Sequence, residues 1–160
     1  MFDNVITSVV NWLLDANINA VKKYPETKLD RKKSTVSVSI KSALMTSSGA
    51  GNYLGIYDYG GTLCEVYGSR AEICFALDIY TPDNCTAEVF DDIANAVRSL
   101  PDGLKLKSLE CVDTEFDANS GMFCLKCKLD CTAIMVRTEN GEQSEFSDFV
   151  LRGELNAYEC

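Results

Sequence analysis

Apolar residues near the start of the chain recur at steps of three and four, the spacing of one face of an α-helix. This spacing predicts a first helix from residue 3 to about residue 22, with Asp3 as its N-cap and Pro25 as its stop. The stripe consists of Phe2, Val5, Ile6, Val9, Trp12, Leu13, Ile18 and Val21. Because Val10 and Leu14 widen the stripe, we expect this helix to pack on more than one side.

A second stripe with the same spacing predicts a helix over residues 83–100, between Pro82 and Pro101. Its buried positions are Val89, Phe90, Ile93, Val97 and Leu100. The candidate N-caps are Asp83, Asn84 and Thr86, whose side chains can accept hydrogen bonds from the free amides of a first turn.

Elsewhere apolar and polar residues alternate, which is the period of a half-buried β-strand. The clearest case is residues 71–81, where one face carries Ala71, Ile73, Phe75, Leu77 and Ile79. Shorter alternating segments cover residues 35–40, 52–57, 64–67 and 149–155. The pair Gly60-Gly61 predicts a tight turn between the second and third of these segments, and residues 46–51 read as a loop of small residues.

The longest alternating segment, residues 104–136, consists of two runs that flank the turn sequence Asp-Ala-Asn-Ser-Gly at residues 117–121. This arrangement predicts a long β-hairpin. A further turn is predicted at residues 139–141. The chain is therefore expected to form a single α+β domain over residues 1–160, with two helices packed on a mainly antiparallel β-sheet.

The composition of the chain excludes several classes of function. The chain has 160 residues, a net charge of −9 and a sequence pI of about 4.5, which argues against specific nucleic-acid binding because phosphate contacts need a basic surface. It has no histidine, so a serine–histidine or cysteine–histidine nucleophile pair cannot form within it. We expect neither a signal peptide nor a membrane span. The eight cysteines are therefore expected to be thiols in a reducing cytosol.

Four of those cysteines lie in the predicted hairpin, and Cys124 and Cys127 have the CxxC spacing of many metal sites. On an alternating strand, however, these two side chains point to opposite faces. We therefore predict that Cys127 and Cys131 are core residues and that no metal is bound. Cys160, at the end of the chain, is expected to be the exposed thiol.

A row of carboxylates at Asp113, Glu115 and Asp117 resembles part of a calcium-binding loop. The sixth position of that loop would be Ala118 where glycine is required, and the twelfth would be Cys124 where a bidentate glutamate is required. We expect a turn here and no calcium site. No group of residues indicates catalysis, so the sequence predicts a protein that is not an enzyme and uses no cofactor.

Basic residues cluster after the first predicted helix, which is unusual in so acidic a chain. Six of the 15 basic residues form this basic connector, namely Lys22, Lys23, Lys28, Arg31, Lys32 and Lys33. One interpretation is a solvated loop, and the other is a docking strip for an acidic partner.

Five segments resemble, in the same order, small prophage tail proteins of clostridial-type bacteria. They are residues 78–82 (DIYTP), 88–96 (EVFDDIANA), 106–111 (LKSLEC), 115–123 (EFDANSGMF) and 146–153 (FSDFVLRG). The resemblance is to the phage tail-terminator, or tail-completion, family. It carries no motif for catalysis or for individual interface residues.

This resemblance implies a helix-and-sheet subunit of a homo-oligomeric ring, often a hexamer, that caps the tail tube and joins it to the head, neck or collar. The implied partners are the tail tube protein and the sheath or neck proteins, with no membrane involved. The implied location is the virion tail or a phage-tail-like particle, assembled in the bacterial cytoplasm. Another neck or tail-completion role stays open. So does a different class, a small cytosolic ligand-binding or enzymatic α+β domain with Tyr53, Tyr57 and Tyr59 at the rim of its pocket.

Overall fold

The computed structural model describes residues 2–23, 29–48, 50–138 and 150–152, and these residues form two helices on a mainly antiparallel sheet. The predicted α+β class is therefore confirmed. The helices are α1 (Phe2–Asp15) and α2 (Thr86–Ala96), and the strands are β1 (Ala20–Lys22), β2 (Thr35–Ser47), β3 (Tyr53–Tyr59), β4 (Thr62–Thr81), β5 (Leu104–Asp117), β6 (Met122–Thr138) and β7 (Val150–Arg152).

The sheet is organised around the long antiparallel pair β4 and β6, which stay in continuous register from Val66–Thr138 to Thr81–Phe123. The strand order is β1-β2-β4-β6-β5, with β3 paired to β4 and β7 paired to β6. One border of the sheet is therefore formed by β1, β2 and β3, and the other by β5 and β7. The β1–β2 pair is parallel, and the other pairs of the described sheet are antiparallel.

The core lies between the two helices and one face of the sheet. Paired residues of neighbouring strands share a face, so Ile73 with Cys131, and Phe75 with Leu129, both point to the helices. The indole Nε1 of Trp12 in α1 donates a hydrogen bond to the carbonyl oxygen of Ala96 at 3.3 Å, which ties the two helices together. We call the opposite side the open face, because neither helix packs on it.

The first helix ends seven residues earlier than the apolar stripe predicts. Asn17 adopts a left-handed backbone with φ of 61°, and its amide bonds to the carbonyl of Leu14 while the amide of Ile18 bonds to that of Leu13. This is the Schellman ending of a helix, in which a buried residue after the turn packs back on the last turn. Ile18 therefore continues the apolar pattern without continuing the helix. The prediction for Asp3 was also wrong, since it lies within the first turn of α1.

The second helix is shorter than predicted and lacks a side-chain cap. It begins at Thr86 after Cys85, which makes no capping hydrogen bond, and it passes into a 3-10 turn at Val97–Ser99. The hydroxyl of Thr86 instead shares a hydrogen bond of 2.7 Å with the hydroxyl of Thr114 in β5. None of the three predicted caps therefore acts as one, because the helix start is fixed by a contact to the sheet.

Two predicted strands, residues 64–67 and 71–81, are parts of one continuous strand, β4. Gly68, which lies between them, is buried because the backbone of β6 runs close by. A Cβ atom at this position would lie 2.7 Å from the carbonyl oxygen of Met135 and 2.5 Å from the Leu54 side chain. The glycine therefore marks a close approach and not a break in the strand. Strand β2 likewise continues to Ser47, into the predicted loop.

The predicted hairpin of residues 104–136 is confirmed as β5 and β6, and the turn at Gly60-Gly61 joins β3 to β4 as expected. The described part of the last predicted strand is β7. Pro25 and the turn at residues 139–141 lie outside the described residues. Within the described ranges, neither helix combines the length and the apolar character needed to cross a membrane.

Candidate interaction surfaces

The hairpin cysteines occupy the faces that the alternation predicts. Cys127 and Cys131 are buried in the main core beneath the helices, and burial raises the pKa of each thiol to about 12. Cys124 points to the open face, where it packs with Tyr80 and Met122 in a small second core. Burial also raises the pKa of Cys124. These three thiols stay protonated near neutral pH, as core residues should.

Two other thiols are exposed, although the sequence predicts Cys160 as the exposed one. Cys85 precedes α2, and Cys111 lies on β5. Cys160 lies outside the described residues. The alternation of β5 places Cys111 on the helix side, but the helices pack mainly on β1, β2, β4 and β6. The sequence alone does not reveal that β5, at the border, is left largely uncovered.

The carboxylate row runs along β5 and leads into a turn that begins at Asp117, as predicted. The Asp117 carboxylate accepts hydrogen bonds from the amides of Asn119 at 3.1 Å and Ser120 at 3.2 Å, and bonding from Ser120 lowers its pKa. Gly121 closes the turn with a φ of 71°. Among the residues described here, no cluster of three or more potential ligand side chains could hold a metal ion.

The basic connector is spread along one end of the sheet. Lys22 ends β1 and pairs with the Asp3 carboxylate at 3.0 Å, while Lys23 follows it with a left-handed φ of 43°. Arg31, Lys32 and Lys33 are exposed in a turn that leads into β2. Lys28 lies outside the described residues. The described members remain candidates for contact with an acidic partner.

A groove of about 290 Å³ crosses the open face between β2, β4, β6 and β5, and it is lined by apolar as well as charged side chains. Its charges are paired with each other, since the Lys107 ammonium lies 2.7 Å from the Glu72 carboxylate. This contact lowers the pKa of Glu72 and raises that of Lys107. Asp130 accepts hydrogen bonds from the thiol of Cys74 and, at 3.0 Å, from the hydroxyl of Ser108, and these bonds lower its pKa.

The tyrosines predicted for the rim of a pocket lie on β3. Tyr53 packs edge-to-face on Tyr67, with ring centroids 5.5 Å apart. The register pairs Tyr53 with Tyr67 and Tyr57 with Cys64, which places Tyr53 and Tyr57 on opposite faces of the hairpin. Neither Tyr53 nor Tyr57 lines the groove on the open face, and a pocket with these tyrosines at its rim stays a prediction.

Residues 53–67 form a hairpin that we call the arm. The arm contains β3 and the first residues of β4. Val66 of β4 pairs with Thr138, the last residue of β6, so the residues at the tip of the arm extend past the end of β6. The Ile56 side chain is 58 % exposed and that of Leu63 is 74 % exposed. The register makes these two residues diagonal neighbours on the helix side of the arm.

Exposed large apolar side chains of the described residues concentrate at the two borders of the sheet, with Leu14 of α1 as the exception. The arm-border patch consists of Leu44, Met45, Tyr53, Ile56 and Leu63, and the β5-border patch consists of Leu106, Val112 and Phe116. Phe116 packs edge-to-face on Phe123, so the second patch is anchored to β6. Exposed apolar side chains that gather at the border of a sheet favour a protein–protein contact there.

Comparison of the sequence with protein-family models finds no match, and comparison with curated proteins finds none. The resemblance to tail terminators therefore stays a prediction. Sequence analysis missed both border patches, because exposed and buried strands show the same alternation. A partial signal was the length of the alternating segments, which exceeds what two helices of 14 and 11 residues can cover.

Proposed function

We propose that the chain is a structural subunit that assembles into a closed ring, and specifically a tail terminator of a phage tail or phage-tail-like particle. The observation that supports this proposal is the pair of unlike apolar patches at opposite borders of one sheet. Contact between two unlike patches joins copies head to tail, and such contacts close into rings when the rotation between copies allows it.

The borders favour assembly for a second reason. β3 and β5 have an outer edge with no strand partner among the described residues. Soluble proteins usually shorten or cover such edges, since unpaired strands invite association. β5 extends over 14 residues and carries Val112 and Phe116, each at least 60 % exposed. A border this long and this apolar suits a subunit that meets a neighbour.

The arm is the candidate contact for the tail tube. It projects along the strand direction beyond the body of the sheet and carries Leu63, whose side chain is more exposed than the other large apolar side chains noted above. In a ring, a projecting hairpin of this kind can reach a coaxial partner that a border patch cannot. The proposed partners are thus a second copy of this chain at the borders and the tube protein at the arm.

The segment resemblance adds support from another direction, because it points to a non-enzymatic ring that stops tube growth and joins the tail to the neck or collar. The basic connector fits this role as a strip for acidic neck, sheath or tube surfaces. The net charge of −9 fits a subunit of a tube that passes DNA without binding it. Location in the virion tail, after assembly in the bacterial cytoplasm, belongs to the same proposal.

The test is tube assembly with purified tube protein, followed by electron microscopy of tube lengths. We expect the chain to bind tube ends and to shorten the tubes. An Ile56→Ser/Leu63→Ser variant should fold normally and leave tube length unchanged. A matched control, Leu14→Ser, alters an exposed apolar residue of α1 outside both patches and should still bind tube ends. Wild-type protein that never alters tube length would contradict the terminator proposal.

A small ligand-binding or enzymatic domain is the second candidate, and the groove on the open face favours it. Its volume of about 290 Å³ lies at the lower end of the range for small-molecule sites. Because Glu72 and Lys107 pair with each other, these two side chains leave few charged groups in the groove for a ligand to bind. Stoichiometric binding of a small molecule that a Glu72→Ala/Lys107→Ala variant abolishes would favour this candidate over the ring.

A further inference from the structure

We infer that copies of this chain dock side by side, with the β1–β2 border of one copy against the β5 border of the next. The inference rests on the proposed self-association and goes beyond it by naming the contacting surfaces. It follows from where charge and apolar surface lie in the register of the sheet.

One row of paired residues crosses five strands and connects the two borders. It runs through Lys22, Val38, Leu77, Cys127 and Cys111. At its β1 end stand Lys22 and the exposed Lys23, which follows it. At its β5 end the exposed carboxylates Glu110, Asp113 and Glu115 surround Cys111. The two borders therefore present opposite charges near the two ends of the same row.

A second row carries matching apolar surface. It runs through Ala43, Ile73, Cys131 and Leu106. Leu44 and Met45, which follow Ala43, are 59 % and 41 % exposed, and Leu106 at the other border is 47 % exposed. Exposed apolar side chains therefore stand near both ends of this row, several residues along the strands from the charged ones. Met45 and Leu106 lie on the helix side, and Leu44 lies on the open face.

Opposite charges at the two borders distinguish the possible contacts. A two-fold contact of the β5 border with its own copy would bring the carboxylates of both copies into one interface. A contact between the two different borders brings Lys23 towards these carboxylates instead, so the charges favour the head-to-tail contact.

The β5 strand indicates that side chains, not a continuous backbone ladder, make this contact. Its register shifts between Leu106 and Ser108 and again between Cys111 and Thr114. Such bulges interrupt the row of amides and carbonyls that an added strand would need. One bulge lies beside Leu106, and the other includes Asp113.

A zero-length carbodiimide cross-linker, which joins an amine to a touching carboxylate, tests this inference. Within one copy Lys23 and Asp113 are separated by four strand spacings, about 19 Å, so a link between them must join two copies. We expect peptide mapping to find Lys22 or Lys23 joined to Glu110, Asp113 or Glu115, in wild-type protein alone or with tube protein. Cross-linked oligomers joined only through other residues would overturn the docking inference and leave self-association standing. The absence of cross-linked oligomers with and without tube protein would overturn both.

Charge exchange gives a second, independent test. Lys23→Glu and Asp113→Lys should each weaken self-association at low salt by about three- to tenfold, and their combination in one chain should restore it. The matched control Asp91→Lys makes the same charge change on α2, away from both borders, and should leave association unchanged. A double variant no stronger than the single variants, with all variants folded by circular dichroism, would overturn the inference.

Discussion

The two halves of strand β4 share one alternation of side chains but differ completely in their surroundings. Between Ala71 and Ile79 the helix-side residues are at most 1 % exposed, because α1, α2 and the neighbouring strands cover them. In the arm, Leu63 stands on the same side of the same strand and is 74 % exposed. The covered half supplies stability, and the uncovered half is available for contact. The alternation of side chains therefore defines the two faces of a strand. Whether helices pack on a face decides if its side chains stabilise the core or stay available for contact.

Substitution of one large side chain by alanine in each half of β4 should give the largest difference in stability between the two halves. Phe75→Ala leaves a cavity beneath the helices and should lower the free energy of unfolding by about 3–5 kcal/mol. Leu63→Ala removes an exposed side chain and should change that free energy by less than about 0.5 kcal/mol. Chemical denaturation of both variants measures the contrast. Equal losses would mean that the arm packs against covering structure.

The buried thiols should make the covered half sensitive to alkaline pH. Cys127 and Cys131 hold their protons up to a pKa of about 12, whereas unfolding releases them to ionise near pH 8.5. Stability from these thiols is complete below about pH 8.5 and is lost as pH rises towards 12, by at most about 1.4 kcal/mol per pH unit for each thiol. Cys131→Ala should reduce this slope in denaturation measured at pH 7 and pH 10. An unchanged slope would contradict the burial of this thiol.

The basic connector should behave like the uncovered half. Reversal of its exposed turn, Arg31→Glu/Lys32→Glu/Lys33→Glu, should leave the unfolding free energy within about 0.5 kcal/mol because these side chains face solvent. Assembly with tube or neck proteins should weaken, as measured by sedimentation of the mixture. Unchanged assembly would return this segment to the interpretation of a solvated loop.

The smallest effect is expected on the open face. The hydrogen bonds from Cys74 and Ser108 hold the pKa of Asp130 below its usual range, so the stability they provide is present above about pH 4 and is lost as pH falls below it. Asp130→Asn should lower stability at pH 7 by less than about 1 kcal/mol, since solvent screens this face. The variant should also be less sensitive to acid in thermal unfolding between pH 3 and pH 7. Equal acid sensitivity would contradict a native role for this carboxylate.

Much of the fold could be predicted because local chemistry determines it. The hairpin of β5 and β6 follows from two alternating runs and a turn in which Asp117 and Gly121 suit the backbone. The burial of Cys127 and Cys131 follows from their place in the alternation. These features depend on residues close together in the sequence, so the sequence alone is sufficient to predict them.

The early end of α1 is a local feature that the apolar stripe does not show, because the left-handed backbone of Asn17 leaves the stripe unaltered. The remaining features depend on distant residues. The need for glycine at position 68 of β4 depends on the approach of Met135 from β6. The border patches depend on where α1 and α2 stop covering the sheet. Neither patch contains a distinctive motif, so its position becomes visible only when all strands are in register.

The mass of the assembled protein tests the central claim most directly. Light scattering of wild-type protein over a range of concentrations, alone and with tube protein, measures whether it forms one closed species. The ring account predicts a single mass at a small whole multiple of the subunit, such as six, in solution or on the tube. A strict monomer under both conditions, together with unaltered tube length, would contradict it.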